Sequence, residues 1–275
     1  MIEDLPVTVV PMWLTVGGRP VRDGELSLEQ VAAGSGERVN TSGPSPGEIA
    51  EAAERADCGD GVVVLTIARA MSSTHDAAIL AAKQADNSRR IRVLDTKTAA
   101  GAQGLVVLAA AQCAASGDSV DEVEAVVNRV RETVRLVATL PSLDQLARGG
   151  RVPGAAAWAG RWLGVNPMFE FRRGRVRPLR PALSGSAAHE RILAAWRSGA
   201  TPGASLHVAV MHALDPQGAR DLLTAIREQV EPATAFIGSF SPVMVAHTGA
   251  GLLGLAWWWE ASRPGQGPQR GARHP

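Results

Sequence analysis

Gly61–Val62–Val63–Val64–Leu65–Thr66–Ile67–Ala68–Arg69–Ala70–Met71–Ser72–Ser73–Thr74–His75 is the stretch that decides the fold. Its first half is a short, unbroken apolar run rich in β-branched residues, which reads as a strand buried on both faces in a parallel sheet. Its second half turns polar: Ser72, Ser73 and Thr74 arrive together, and Ala77, Ala78, Leu80, Ala81 and Ala82 continue in helix-forming company. The stretch therefore predicts a strand whose carboxyl end delivers the chain to a helix beginning under three hydroxyls. A helix start leaves backbone N–H groups without partners and carries partial positive charge. Hydroxyls beside those donors suit one anionic group, and open α/β sheets place ligands there. The plainer reading of Ser72 or Ser73 is an N-cap.

Working outward, the preceding helix carries its own start signal. In Thr41–Ser42–Gly43–Pro44–Ser45–Pro46–Gly47–Glu48, Ser45 is a good N-cap, Pro46 occupies the first helical position and Glu48 closes a capping box. Thr41 and Ser42 are then left over in the approach to that helix, which marks Thr41 as a candidate ligand contact. Further upstream, Val7–Val16 is a strand signal interrupted by Pro11, Gly17–Gly18 is a turn, Arg19–Asp23 returns as an edge segment, and Ser27–Gln30 has capping-box spacing.

Downstream, Arg90–Asp95 is a second strand, and Thr96–Lys97–Thr98 leads into an alanine-rich helix over Ala99–Ala115. Asp95, at a strand end, reads first as a cap. Ser119–Glu122 opens another helix. Strands alternating with helices predict a parallel sheet with helices on its faces. From Val134 the pattern changes. It becomes a strand to Leu140, a capped helical turn at Ser142–Arg148 stopped by Gly149–Gly150, a small-residue helix over Ala155–Leu163, and a hairpin at Met168–Leu179. Then come a helix at Ala187–Trp196, a strand at Leu206–Met211, a helix at Pro216–Gln229, a strand at Ala233–Gly238, the segment Val243–Gly251, and a buried final strand, Leu252–Trp259. Core and edge of that strand is the reading for Trp257–Trp258–Trp259. The expectation is two α/β domains: 1–132 with a parallel sheet and a small β insertion near 11–24, and 133–262 with a mixed sheet. Residues 263–275 read as a disordered tail.

Composition narrows the function classes. A net charge of +1 leaves no electrostatic footprint for nucleic acid. The one local cluster of arginines, Arg172, Arg173, Arg175, Arg177 and Arg180, alternates with Val176 and Leu179 and suits the solvated side of an edge hairpin. Cys58 and Cys113 are far apart and belong to no CxxC pair, as expected in a reducing cytoplasm. No basic leader follows Met1, and no apolar run is long enough to span a bilayer. Neither G-x-G-x-x-G nor a P-loop occurs, and no metal-ligand spacing surrounds His247, so no cofactor or metal is expected.

Taken together, several segments resemble the DegV family. Thr41–Ser42–Gly43–Pro44–Ser45–Pro46 resembles its T-S-Q-P-S-P loop, Met71–His75 its L-S-G-T-Y turn, and Asp95–Thr96–Lys97 its D-S-K. Leu143–Val152 resembles L-x-x-L-x-x-G-G-R-I, and Gly238–Gly251 resembles I-G-P-V-I-G-T-H-T-G-P-G. The resemblance implies two domains holding one long-chain fatty acid between them, in a carrier that is not itself an enzyme. It also implies that the carboxylate is held by Thr41 and Ser72. Arg151 and His247 then flank it and assist its presentation to a partner, the ATP-binding subunit of a fatty acid kinase. The family opens with a strand carrying D-S-T-A-D-L-P, of which Glu3–Asp4–Leu5–Pro6 remains, so the first strand of the N-terminal sheet is expected to be truncated. Ala68 and Arg69 stand where the family has serines, Gly43 where it has glutamine, Asn166 where it has lysine, and His75 where it has tyrosine.

The alternative is a serine hydrolase or esterase acting on acyl substrates, because Ser72, Asp95 and His247 follow the nucleophile–acid–base order of α/β-hydrolases. No G-x-S-x-G elbow surrounds Ser72, which weighs against it.

Overall fold

The computed structural model describes residues 4–33, 39–85, 90–143, 147 and 165–261. The alternation seen in the sequence becomes five layers. A two-stranded parallel sheet, β4 (Val62–Thr66) with β5 (Ile91–Asp95), carries α2 (Pro46–Ala56) and α3 (Thr74–Gln84) on one face. Its other face lies on α4 (Ala100–Ala115) and α5 (Val120–Thr133). The period of two explains the division. Val62 and Val64 point into the cluster with α2 and α3, while Val63 and Leu65 join α4 and α5. Both faces are thus covered as the sequence suggested, but burial falls short of it. Val62 to Leu65 are only half-buried; among the described residues β4 has one hydrogen-bonded neighbour, β5.

The same two helices cover one face of a six-stranded mixed sheet in the order β10–β9–β11–β6–β7–β8. These strands are β6 (Arg135–Thr139), β7 (Asn166–Arg172), β8 (Arg175–Ala182), β9 (Ser205–His212), β10 (Thr234–Ser239) and β11 (Leu253–Glu260). Only β9 and β10 pair in parallel; the remaining neighbours are antiparallel. The helices α6 (Gly185–Arg197) and α7 (Pro216–Arg227) cover the opposite face. The last strand, β11, lies inside the sheet between β9 and β6, not at an edge, and Trp257 and Trp258 are buried. Gly101 seats α4 tightly on this sheet: a Cβ there would lie 2.7 Å from Met211 Cγ and 3.0 Å from Ala209 Cβ. The β7–β8 hairpin closes one edge, with Arg172, Arg173, Arg175, Arg177 and Arg180 exposed as expected.

A third, three-stranded antiparallel sheet joins β1 (Trp13–Val16), β2 (Arg19–Arg22) and β3 (Val39–Ser42) in the order β2–β1–β3. Gly17 and Gly18, both at positive φ, make the two-residue hairpin turn. This sheet and α1 (Leu28–Ala33) pack on α8 (Pro242–Thr248), around Leu14, Val31, Val243 and Val245. Asp23 Oδ1 accepts the Val243 N–H at 3.1 Å, tying the hairpin to the start of α8. The segment containing His247 is therefore a short helix docked against the N-terminal part of the chain. The small-residue helix expected over Ala155–Leu163, Gly149–Gly150 and the tail 263–275 lie outside the described residues. Among the described residues no helix is long and apolar enough to cross a membrane.

Candidate functional site

The parallel pair β4–β5 delivers two loops side by side at its carboxyl end. Thr96 N–H and Thr96 Oγ1 both donate to the Thr66 carbonyl, at 3.2 and 2.8 Å, and Ala68 N–H donates to the Thr98 carbonyl at 2.9 Å. Asp95 Oδ1 accepts the Lys97 N–H at 2.8 Å and the Arg69 N–H at 3.3 Å. Asp95 is therefore a cross-tie between two loops and not a helix cap; α4 starts from Ala99, which has no side-chain oxygen to give. Both amides meet the same carboxylate oxygen, so Asp95 fixes the two loops to each other.

At the end of the first loop, Ser73 precedes α3 but its side chain caps nothing. Ser72 does the local work. Its hydroxyl accepts the Thr74 N–H at 3.2 Å and lies 2.8 Å from Thr74 Oγ1. His75 Nδ1, one residue on, is 3.0 Å from Thr66 Oγ1 and so anchors the first turn of α3 to the end of β4. Ser72 keeps hydrogen-bonding capacity, since a hydroxyl has one proton and two lone pairs.

The second helix entrance, at α2, is closed by its own residues. Ser45 Oγ accepts the Glu48 N–H at 3.3 Å, and Glu48 Oε2 accepts the Ser45 N–H at 2.7 Å, the capping box expected. Two hydrogen bonds donated to that carboxylate, by the Ser45 N–H at 2.7 Å and the Ser45 hydroxyl at 2.9 Å, with smaller help from Trp13 and Arg22, hold the Glu48 carboxyl down at about 2. Thr41 is spared, though it is not in a loop: it is part of β3, opposite Leu14 of β1. A strand of four residues, three of them polar, carries too little hydrophobic alternation to be seen in sequence. Its Oγ1 lies 2.7 Å from His247 Nε2 on α8.

The structure thus brings Thr41 and His247, 206 positions apart, into one hydrogen bond. It also brings the two entrances together: a Cβ on Gly43 would lie 2.6 Å from Thr74 Oγ1. Glycine at this position lets the exit of β3 approach the Ser72–Thr74 turn this closely. Thr41, Ser72 and Thr74 are all half-buried, reachable from solvent yet backed by protein. Arg151 lies outside the described residues. Met71 and Ala100 touch both the core around α4 and the core around α8, so the seam between those cores runs beside the loops.

The family model described as "Uncharacterised protein, DegV family" matches residues 1–260. A DegV domain-containing protein of Streptomyces coelicolor is 36% identical over 257 residues, which is 90% of this chain and 90% of that protein. Among solved structures, one described as fatty acid binding of a DegV family protein from Thermus thermophilus superposes with a TM-score of 0.84 at 28% identity, covering 91% of each chain. Another, DegV from Bacillus subtilis, described as a fatty acid binding protein, superposes with a TM-score of 0.80 at 25% identity, again covering 91% of each chain. The chain whose two helix entrances meet at Gly43 and Thr74 belongs to the DegV family.

Proposed function

We propose that this protein is a cytoplasmic, non-enzymatic carrier of one long-chain fatty acid. The acyl chain lies between two α/β domains, 1–132 and 133–262, and the carboxylate is received by the hydroxyls of Thr41 and Ser72. The observation that carries this reading is the convergence of Thr41, His247 and the Ser72–Thr74 turn at the carboxyl end of β4. That fatty acids are bound by the Thermus and Bacillus relatives supports the ligand class.

The physical terms agree. Each buried CH₂ of an acyl chain contributes about 0.8 kcal/mol, so the tail supplies the affinity. The buried carboxylate must be hydrogen-bonded or it costs several kcal/mol, and hydroxyls meet that need without an ion pair. His247, bonded to Thr41, stands beside the head group, and Arg151 is assigned there by its position in the Gly149–Gly150–Arg151 motif. Their role in this reading is to present the acid to the ATP-binding subunit of a fatty acid kinase. Denaturing mass spectrometry of lipid extracted from purified protein tests the ligand. An acyl chain is expected; protein that carries none, and takes none up after delipidation, refutes the carrier. Mixing the loaded protein with such a kinase subunit and ATP tests the partner, with acyl phosphate as the expected product.

A further inference from the structure

The helix α4 begins in the interior without a cap. Ala99 and Ala102 are 3% and 0% exposed, and Gly101 is buried against β9. Every residue from Ala99 to Ala102 lacks a polar side chain, so none can turn back on the first amides. Among the described residues no acceptor meets the N–H groups of Ala100, Gly101 or Ala102. A buried helix end without partners is expensive, and natural helices resolve it with a side chain, water or a ligand. A second observation marks the same spot. Thr98, immediately before Ala99, is 1% exposed, and its Oγ1 has no hydrogen-bond partner. The hydroxyl of buried Thr98 and the amides of half-buried Ala100 and buried Gly101 and Ala102 share one deficit: they are donors lacking an acceptor.

Charge selects the acceptor. On the two adjoining loops, Lys97 pairs with Glu132 at 2.8 Å and Arg69 with Asp76 at 3.0 Å. Arg131 Nη1 donates to the Asp95 carbonyl at 2.9 Å, on the loop that leads to Thr98. A phosphate would bring a second negative charge into a buried place, whereas a single carboxylate suits the partial charge of a helix start. The entrance also borders apolar surface, because Ala100 touches both the α4 core and the α8 core. An amphiphile with one carboxylate matches both properties.

We propose that the start of α4, with Thr98 Oγ1, is a further binding station for the carboxylate of an acyl ligand, facing the head group from the protein interior. This rests on the carrier reading above and adds Thr98 and the α4 amides to the residues assigned there. The loop bearing Thr98 is bonded directly to the loop that leads to Ser72 through Ala68, which places the two stations on adjoining loops.

The test compares delipidated wild type, Thr98→Val and Thr98→Ser for binding of palmitate and of hexadecanol, the same chain without the acid. Loss of one hydrogen bond to a charged group predicts roughly tenfold weaker palmitate binding by Thr98→Val, an unchanged affinity for hexadecanol, and rescue by Thr98→Ser. A second variant, Ala99→Ser, supplies the missing cap: the apo melting temperature rises and palmitate affinity falls. If Thr98→Val and Ala99→Ser both bind palmitate as wild type does, the α4 station is wrong and the carrier stands. If Thr98→Val weakens both ligands equally, Thr98 shapes the tail's surroundings and the station is again wrong. If wild type binds neither ligand, the carrier reading itself falls.

Discussion

Compare the strands β4 and β11. Both have helices on both faces and both read in sequence as unbroken apolar runs, yet β11 holds Leu253, Leu255 and Trp257 at 1% exposure or less, while Val62 to Leu65 of β4 are only partly buried. The difference is lateral. β11 has β9 on one side and β6 on the other, whereas β4 has β5 alone. Neighbours in the sheet add to what the helices cover, although β5, which also has a single neighbour among the described residues, still buries Ile91 and Leu94. Thr41 and Ser72, the two candidate head-group hydroxyls, are themselves only half-buried. Sites that must admit a ligand are drawn from regions of lower local stability, so the division is functional sense as well as anatomy.

The largest expected effect puts that contrast to measurement. Leu255→Ala should cost about 3–4 kcal/mol of unfolding free energy, because the site is fully enclosed and cannot collapse around the void. Val64→Ala should cost only about 1 kcal/mol, since part of its surface is already wet. Urea denaturation of the two variants gives the ratio, and equal losses would break the comparison. Amide hydrogen exchange sharpens it further. Exchange in β4 and β5 should precede exchange in β9 and β11, and added fatty acid should slow exchange most between Thr66 and His75. Protection gained mainly in β9 and β11 would move the ligand elsewhere.

How much of this was legible follows from which contacts are local. The capping boxes at Ser45 and Ser119 were readable because their partners are three residues away. The hairpin at β7–β8 was readable because a turn joins its strands. The place of β11 was not, since a strand with both faces covered shows no alternation and nothing local says which edges it will meet. Thr41 was picked out for the right local reason, that Ser45 already serves α2, but was assigned to a loop because β3 is too short to show a period. Its meeting with His247 depends on how α1 and the three-stranded sheet dock on α8, which no single segment encodes. Asp95 was read as a cap because caps are the usual use of an aspartate at a strand end, whereas here two amides from two loops claim it. For Thr98 the signal in the sequence is an absence, a helix beginning Ala99–Ala100–Gly101–Ala102 with nothing to cap it.

Gly43 should be the most sensitive backbone position at the site. A Cβ there meets Thr74 Oγ1 at 2.6 Å, so Gly43→Ala must push the Ser72–Thr74 turn away or rotate the threonine out of its contact with Ser72. Several-fold weaker binding of a fatty acid is expected with little change in global stability, measured by titration of delipidated protein alongside a melting curve. Unchanged affinity would show that the two entrances do not act together.

A smaller effect is expected where the N-terminal hairpin is pinned by charge rather than by core. Trp13 and Arg22 stack with 3.7 Å between guanidinium carbon and ring centroid, and Arg22 and Trp13 both reach the Glu48 carboxylate of α2. Bonding to Ser45 first, and to Trp13 and Arg22 after it, holds the Glu48 carboxyl down at about 2 from an ordinary 4.5. A carboxyl whose pKa is depressed on folding stabilises the native state fully above its unfolded value, and that contribution is lost as pH falls through the folded value. Glu48→Gln keeps the length and removes the charge, so it should cost about 1 kcal/mol at neutral pH, a lowering of the melting temperature by a few degrees. The gap between variant and wild type should hold down to about pH 4.5 and close toward pH 2, because below that the wild-type side chain is itself neutral. A gap that stays constant to pH 2 would mean the hairpin is held by the shape of the capping box and not by its charge, and the contrast between a charge-pinned sheet and a core-pinned one would then disappear.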